Sequence, residues 1–251
     1  ANAYFEMSRF QSAIEFYEKA LDYYFDQRSP DNKIYIYTRL GDCEKMLSNY
    51  NNALIYYQKP LNLYLVENKN KISDAYNNIG IIYKFLNNFN QSMHYHQLAL
   101  NESNLSNNQQ EIANTLKNIG SLYWHKSLYD SSLVYFEKSL ELYRELADTL
   151  GEANILNNLG TIYKNLGDFQ KALDYNKKAL ELRTFFGNRK EIANSLNSIG
   201  SIYLATNDLN NALVFYQNAL DIRLEIEDIM GIANSQNNLS LVYRRKDDYN
   251  T

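Results

Sequence analysis

One cysteine, Cys43, is all the chain carries in 251 residues, so no disulfide can close within it. A lone thiol is the usage of a reducing compartment, and the expected location is cytoplasmic. No stretch of about 18 apolar residues occurs, so no membrane insertion by a spanning helix is expected. Positive charge is scarce too. Lys and Arg number 25 against 29 Asp and Glu, for a net charge of −4. A surface that follows nucleic-acid phosphates needs the opposite sign, and no nucleic acid is expected as a partner. The nine glycines never form the G-x-x-x-x-G-K spacing of a phosphate loop. His94 and His96 stand two apart, on different faces of a helix, and do not make a metal pair. His125 lies beside Trp124 with no partner nucleophile in view. These absences remove a disulfide scaffold, a membrane span, a phosphate track and a metal or catalytic centre. No cofactor and no enzymatic activity are expected.

What the chain has in abundance is repetition. The stretch ANILNNLGTIYK (153–164) returns as SDAYNNIGIIYK (73–84), ANTLKNIGSLYW (113–124), ANSLNSIGSIYL (193–204) and ANSQNNLSLVYR (233–244). Its glycine falls at Gly41, Gly80, Gly120, Gly160 and Gly200, with Ser240 in the next slot, a step of about 40 residues. A fixed period of this size marks a solenoid, in which each unit packs only on its neighbours.

Each unit reads as two helices. Around Gly160, Ala153, Leu156, Leu159, Ile162 and Tyr163 lie at spacings of three and four, an apolar stripe that predicts a helix over Glu152–Leu166. Gly167-Asp168 ends it with a residue suited to a left-handed turn and a capping carboxylate. A second helix is predicted over Phe169–Phe185, and Gly187-Asn188 turns the chain again. Connections this short make neighbouring helices antiparallel. The columns repeat with the glycine. Tyr83, Tyr123, Tyr163, Tyr203 and Tyr243 stand three after it, and small Ala53, Ser92, Ser132, Ala172 and Ala212 stand twelve after. Leu61, Leu100, Leu140, Leu180 and Leu220 close the set. His96 shares a column with Tyr57, Phe136 and Tyr216, which makes it a packing residue, and Cys43 reads as a small buried one. Pro60 falls inside a helix over 51–66, where a lost backbone bond and a ring clash predict a kink.

This set of columns resembles the tetratricopeptide repeat (TPR) family, with its Leu/Ile-Gly pair, Tyr three on, and Ala, aromatic and Ala on the second helix. The usual 34-residue period is lengthened to about 40, and the proline that commonly ends a unit is replaced by Leu65, Asn104, Arg144, Thr184 and Leu224. The long form is similar to the repeats of kinesin light chains and to asparagine-rich arrays of bacterial signalling proteins and peptide-pheromone receptors. The resemblance implies an all-α, right-handed superhelical TPR solenoid of antiparallel helix pairs. The divisions are a half-repeat over 1–33, repeats over 34–71, 72–110, 111–150, 151–190 and 191–230, and a half-repeat over 231–251. The ragged ends are those expected of one module within a longer protein.

Polar residues recur as well. Six before the glycine stand Asp74, Asn114, Asn154, Asn194 and Asn234. Three before stand Asn77, Lys117, Asn157, Asn197 and Asn237, and two before stand Asn78, Asn118, Asn158, Ser198 and Asn238. These offsets share one helix face, which continues to Lys84, Lys164 and Arg244. Each Asn inside a helix costs roughly half a kcal/mol, so the columns call for an offsetting role. In the TPR family this face of the first helix lines the concave groove. Asn carries both a donor and an acceptor, which suits it to hold a peptide backbone, while the cations meet acidic groups. The expected groove contacts are Asn77, Lys84, Asn114, Lys117, Asn118, Asn154, Asn157, Asn158, Lys164, Asn194, Asn197, Asn234, Asn237 and Arg244. In the column two before the glycine, bracing between helices and ligand contact both stay open. The expected function is a peptide- or protein-binding module of a signalling protein. The alternative is a scaffold that spaces or self-associates neighbouring domains, end to end.

Overall fold

The computed structural model describes residues 1–25, 30–67 and 72–248. Every regular element among them is an α-helix. In chain order these are α1 (Asn2–Glu6), α2 (Phe10–Phe25), α3 (Pro30–Met46), α4 (Tyr50–Glu67), α5 (Ile72–Phe85), α6 (Phe89–Leu105) and α7 (Gln109–His125). There follow α8 (Tyr129–Glu145), α9 (Thr149–Asn165), α10 (Phe169–Phe185), α11 (Arg189–Ala205), α12 (Leu209–Glu225) and α13 (Ile229–Asp248). The unit boundary expected at residue 71 lies outside the described residues. Helix α4 runs through Pro60 without interruption.

From α6 to α12 each helix has 17 residues, and three residues join it to the next. The backbone therefore repeats every 20 residues, half the period of the side chains. The middle residue of each turn is left-handed: Asn87, Asn107, Ser127, Ala147, Gly167, Gly187, Asn207 and Glu227. Backbone N–H groups of each turn return to the helix just ended. Gly167 N donates to the Lys164 carbonyl at 3.1 Å and Asp168 N to that of Tyr163 at 2.9 Å, which satisfies orphan carbonyls of the helix end. The residue after the left-handed one then caps the next helix. Asn88, Asn108, Asp148, Asp168, Asn188 and Asp208 each accept from the backbone N–H three residues on. The Asp148 cap moves the start of α9 to Thr149, three residues ahead of the expected one. The paired Asn residues in the loops thus have distinct tasks, one adopting the left-handed conformation and one capping.

The glycine column is explained by close approach. A Cβ on Gly41 would sit 2.6 Å from the Tyr57 ring, on Gly80 2.7 Å from the His96 ring, and on Gly200 2.9 Å from the Tyr216 ring. In each case the side chain of the second helix rests on the bare backbone of the first. Where the small column holds serine, the contact is also bonded: Ser92 Oγ donates to the Gly80 carbonyl and Ser132 Oγ to that of Gly120, each at 2.7 Å. The tyrosine three after the glycine stacks on the second helix. Tyr83 lies 5.5 Å from Tyr95, Tyr163 5.4 Å from Tyr175, and Tyr203 5.4 Å from Phe215, in the offset geometry that aromatic pairs favour.

The chain forms two compact units, Ala1–Ser132 and Leu133–Thr251. In the first, Phe10, Ala13, Ile14, Tyr17, Ile36, Leu40 and Cys43 form one buried cluster and Ala53, Tyr57, Ile79 and Ile82 the next. In the second, Ala193, Leu196 and Ala219 precede Ala212, Tyr216, Leu239 and Val242. Each fully buried Leu or Ile contributes about 1.5–3 kcal/mol, distributed along the array rather than gathered at one centre.

Candidate functional site

The recurrent polar columns lie on the first helix of each pair. In the first unit α5 packs directly on α7, and in the second α9 packs on α11, so columns from successive repeats stand side by side.

In the first unit they line a recess of about 310 Å³. Its walls are Thr38 of α3, Asp74, Asn77, Asn78 and Ile81 of α5, and Asn114, Lys117 and Asn118 of α7, with Tyr57 and Pro60 of α4 contributing. These residues differ in their freedom. Asn77 is buried and engaged at both ends of its amide: Nδ2 donates to Thr115 Oγ1 at 2.7 Å, and Oδ1 lies 2.9 Å from His96 Nδ1. His96 is therefore the packing residue expected, and also a bonded one. Burial, and then the charge of Lys84, push its pKa down to about 3, and its Nε2 is buried without a partner. Lys117 Nζ donates to Asn114 Oδ1 at 3.3 Å. Asn78 and Asn118 are half-buried and make no side-chain hydrogen bond among the described residues. Lys84 Nζ crosses to Ser121 Oγ of the next repeat at 2.9 Å, and burial lowers its pKa.

In the second unit Lys164 repeats the Lys84 arrangement, donating to Ser201 Oγ at 3.3 Å with its pKa again lowered by burial. Asn238 Nδ2 donates to Asn197 Oδ1 at 2.8 Å. Asn157 is half-buried with its Oδ1 enclosed and unpartnered, as is Oδ1 of Asn176. Asn157 and Asn176 occupy the positions that Asn77 and His96 hold 80 residues earlier. Asn158 is half-buried without a side-chain partner among the described residues, and Asn234, Asn237 and Arg244 are exposed on α13.

Asn154 and Asn194 meet side chains that lie outside the polar columns of the first helices. Arg183, in the last turn of α10, is 4% exposed. Its Nη2 donates to Asn154 Oδ1 at 2.7 Å and pairs with the Glu191 carboxylate at 2.9 Å. Its Nη1 donates to Ser195 Oγ at 2.6 Å and to the Glu191 carbonyl at 3.3 Å. Arg223, in the last turn of α12, is 5% exposed and repeats the set. It donates from Nη2 to Asn194 Oδ1 at 3.0 Å, and from Nη1 to Ser235 Oγ at 2.6 Å and the Gly231 carbonyl at 3.0 Å. Burial lowers the pKa of both guanidinium groups, opposed by the charge of Glu191 at Arg183 and of Asp228 at Arg223. A cation in the last turn also suits the negative end of its own helix. The signal was in the sequence: Arg183 and Arg223, Ser195 and Ser235, and Asn154 and Asn194 all recur at a step of 40.

Among the described residues no helix is long and apolar enough to cross a membrane, and no group of three or more His, Cys, Asp or Glu is placed to hold a metal.

A sequence search of curated proteins finds no match. Among solved structures, the chain is similar to a Rap protein complexed with competence and sporulation factor (18% identity, TM-score 0.75, covering 92% of this chain and 68% of that one). It is similar also to NprR in complex with its cognate peptide NprX (20%, 0.69, 96% and 68%). A third is BtubC (BKLC) from P. vanneervenii (17%, 0.65, 87% and 90%). At these identities the likeness is one of fold. Family models described as tetratricopeptide repeat match residues 1–27, 73–103, 111–184 and 192–227, more than half of the chain in all. With a glycine seated under a side chain of the partner helix in repeat after repeat, and helices packed in consecutive pairs, the chain belongs to the tetratricopeptide repeat family.

Proposed function

We propose that the array is a binding module that holds an extended peptide segment against the faces of its first helices, as a sensory or regulatory part of a longer signalling protein. The observation that carries this reading is the recess between α3, α5 and α7. Its walls combine uncommitted amides, Asn78 and Asn118, with groups of both charges, Asp74 and Lys117. A peptide backbone presents alternating N–H and C=O groups, and carboxamides can answer either. The helices that carry them are fixed by packing, so little ordering cost falls on the receptor. The solved Rap and NprR complexes, which share the fold, hold competence and sporulation factor and the cognate peptide NprX. In the second unit the corresponding contacts are assigned to Asn154, Asn158, Asn194 and Lys164, with Asn234, Asn237 and Arg244 on α13.

The test is retention from a pool of random ten-residue synthetic peptides, with the bound fraction identified by mass spectrometry. The proposal expects a sequence-enriched subset. An unenriched bound fraction, or none, overturns it.

A second reading, self-association, has its own support. Phe185 and Phe186, in edge contact at the α10–α11 turn, and Ile229 and Met230 at the start of α13 are large exposed apolar residues, and apolar exposure of this kind marks contact surfaces. Light scattering over a concentration range separates the two: a mass that rises with concentration supports association, and a constant monomer mass removes it.

A further inference from the structure

The two buried arginines bear on what the second unit can recognise. A carboxamide has an acceptor end and a donor end, and an unanchored Asn can present either. A guanidinium has donors only. Arg183 Nη2 can therefore face Asn154 only at Oδ1, and Arg223 Nη2 can face Asn194 only at Oδ1, as both do. Each arginine is itself held by a serine hydroxyl and a backbone carbonyl of the following first helix, so it is fixed before any ligand arrives. With the oxygen turned inward to the cation, the Nδ2 amino group is the end left for the surface.

We infer that Arg183 and Arg223 are positioning residues that turn Asn154 and Asn194 into a row of N–H donors, so that these two rungs accept a ligand segment through its carbonyl oxygens. The inference rests on the reading that this face binds a peptide, and it narrows that reading to one polarity of contact. Neutral carbonyls are favoured over carboxylates at Asn194, because the Glu191 carboxylate already lies 3.5 Å from its Nδ2. That contact is at the outer limit of a hydrogen bond and is one a ligand carbonyl can replace. An arginine is required for this task. A lysine offers one nitrogen, which cannot stand at both Ser195 Oγ and Asn154 Oδ1, whereas the planar fork reaches both.

The experiment follows the side-chain amide signals of Asn154 and Asn194 by NMR, with N,N-dimethylacetamide as the probe, a carbonyl acceptor that has no N–H. In the wild-type chain both amides are expected to be as ordered as the helix backbone that carries them, with order parameters approaching its value of about 0.85, and both are expected to shift on titration. In Arg183→Met, and equally in Arg183→Lys, the Asn154 amide is expected to fall to the flexible range below about 0.6 and to lose most of its shift. Asn194 stays anchored at Oδ1 by Arg223, and the Asn238 amide, held by Asn197 Oδ1 away from Arg183 and Glu191, serves as the control for folding. Should Arg183→Met fail to fold, Arg183→Lys carries the same comparison. An Asn154 amide that stays ordered and responsive in a folded Arg183 variant overturns the inference and leaves the binding reading intact. An amide that loses order in the variant, but never responds to the probe in the wild type, leaves the anchoring in place and overturns the assignment of this row to ligand.

Discussion

Gly160→Ala is the sharpest probe of the close approach between first and second helices. Helix propensity alone favours alanine over glycine by about 1 kcal/mol in a helix interior. The packing opposes it. A Cβ on Gly160 would sit 2.1 Å from Nδ2 and 2.8 Å from Cγ of Asn176, and 3.1 Å from the Ala172 carbonyl oxygen. The carbonyl belongs to the α10 backbone and has little room to move. The amide is buried and donates to that same oxygen at 2.9 Å, so displacing it breaks a bond in a dry site. Overpacking costs about 1–3 kcal/mol and a stranded buried polar group about 1–3 more. Set against the propensity gain, the net loss is about 1–5 kcal/mol. Asn176→Ala added to Gly160→Ala should recover part of this, a favourable coupling of about 1 kcal/mol or more. Hydrogen exchange at α9 and α10 amides is the suitable assay, because an array opens region by region. A Gly160→Ala variant more protected than the wild type would refute the packing account.

The turns offer the opposite case. Ala147 and Glu227 hold φ of +52° and +55°, a conformation that costs an L-residue roughly 1–2 kcal/mol. Ala147→Gly and Glu227→Gly should therefore each stabilise by about 0.5–1 kcal/mol after glycine's extra unfolded entropy, read as a higher urea midpoint. Two groups in the first unit set opposed pH responses. Burial, and then the charge of Asp74, raise the Glu111 pKa from 4.5 to about 7. The folded state thus binds its proton more tightly, and stability falls as pH rises between those values. His96 goes the other way: its pKa falls from 6.5 to about 3, so stability falls as pH drops through that window. Between about pH 4.5 and 6.5 the two slopes, each at most about 1.4 kcal/mol per pH unit, cancel. Glu111→Gln should unmask an acid-side loss and His96→Gln a loss toward neutrality in denaturant titrations across pH. Curves parallel to the wild type would contradict the assignment.

The repeat, the helix pairs and the turns at Gly167 and Gly187 were legible because glycine and a following Asp or Asn have few other reasons to recur in register. The 20-residue backbone period was not, because Asn, Ser, Ala and Glu fill the left-handed position elsewhere and the side chains repeat only every 40. The polar columns were legible as columns, and their division of labour was not. Asn77 and Asn118 sit in neighbouring columns and both line the recess, yet one is engaged by His96 and Thr115 at both ends of its amide and the other makes no side-chain hydrogen bond among the described residues. That difference depends on which residue the second helix and the next repeat bring across. Arg183 and Arg223 were not legible as a column because earlier repeats place Ser103 and Tyr143 in the same slot, so the column has no single chemistry.

The measurement that tests the central claim most directly is calorimetric titration of a peptide retained from the random pool into the wild-type array and into Asn78→Ala/Asn118→Ala. Neither side chain makes a hydrogen bond among the described residues, so the variant should unfold at the same urea midpoint. Loss of two hydrogen bonds of about 0.5–1.5 kcal/mol each should weaken the peptide roughly 5- to 150-fold. Unchanged affinity at unchanged stability would show that the recess between α3, α5 and α7 is not where the peptide lies.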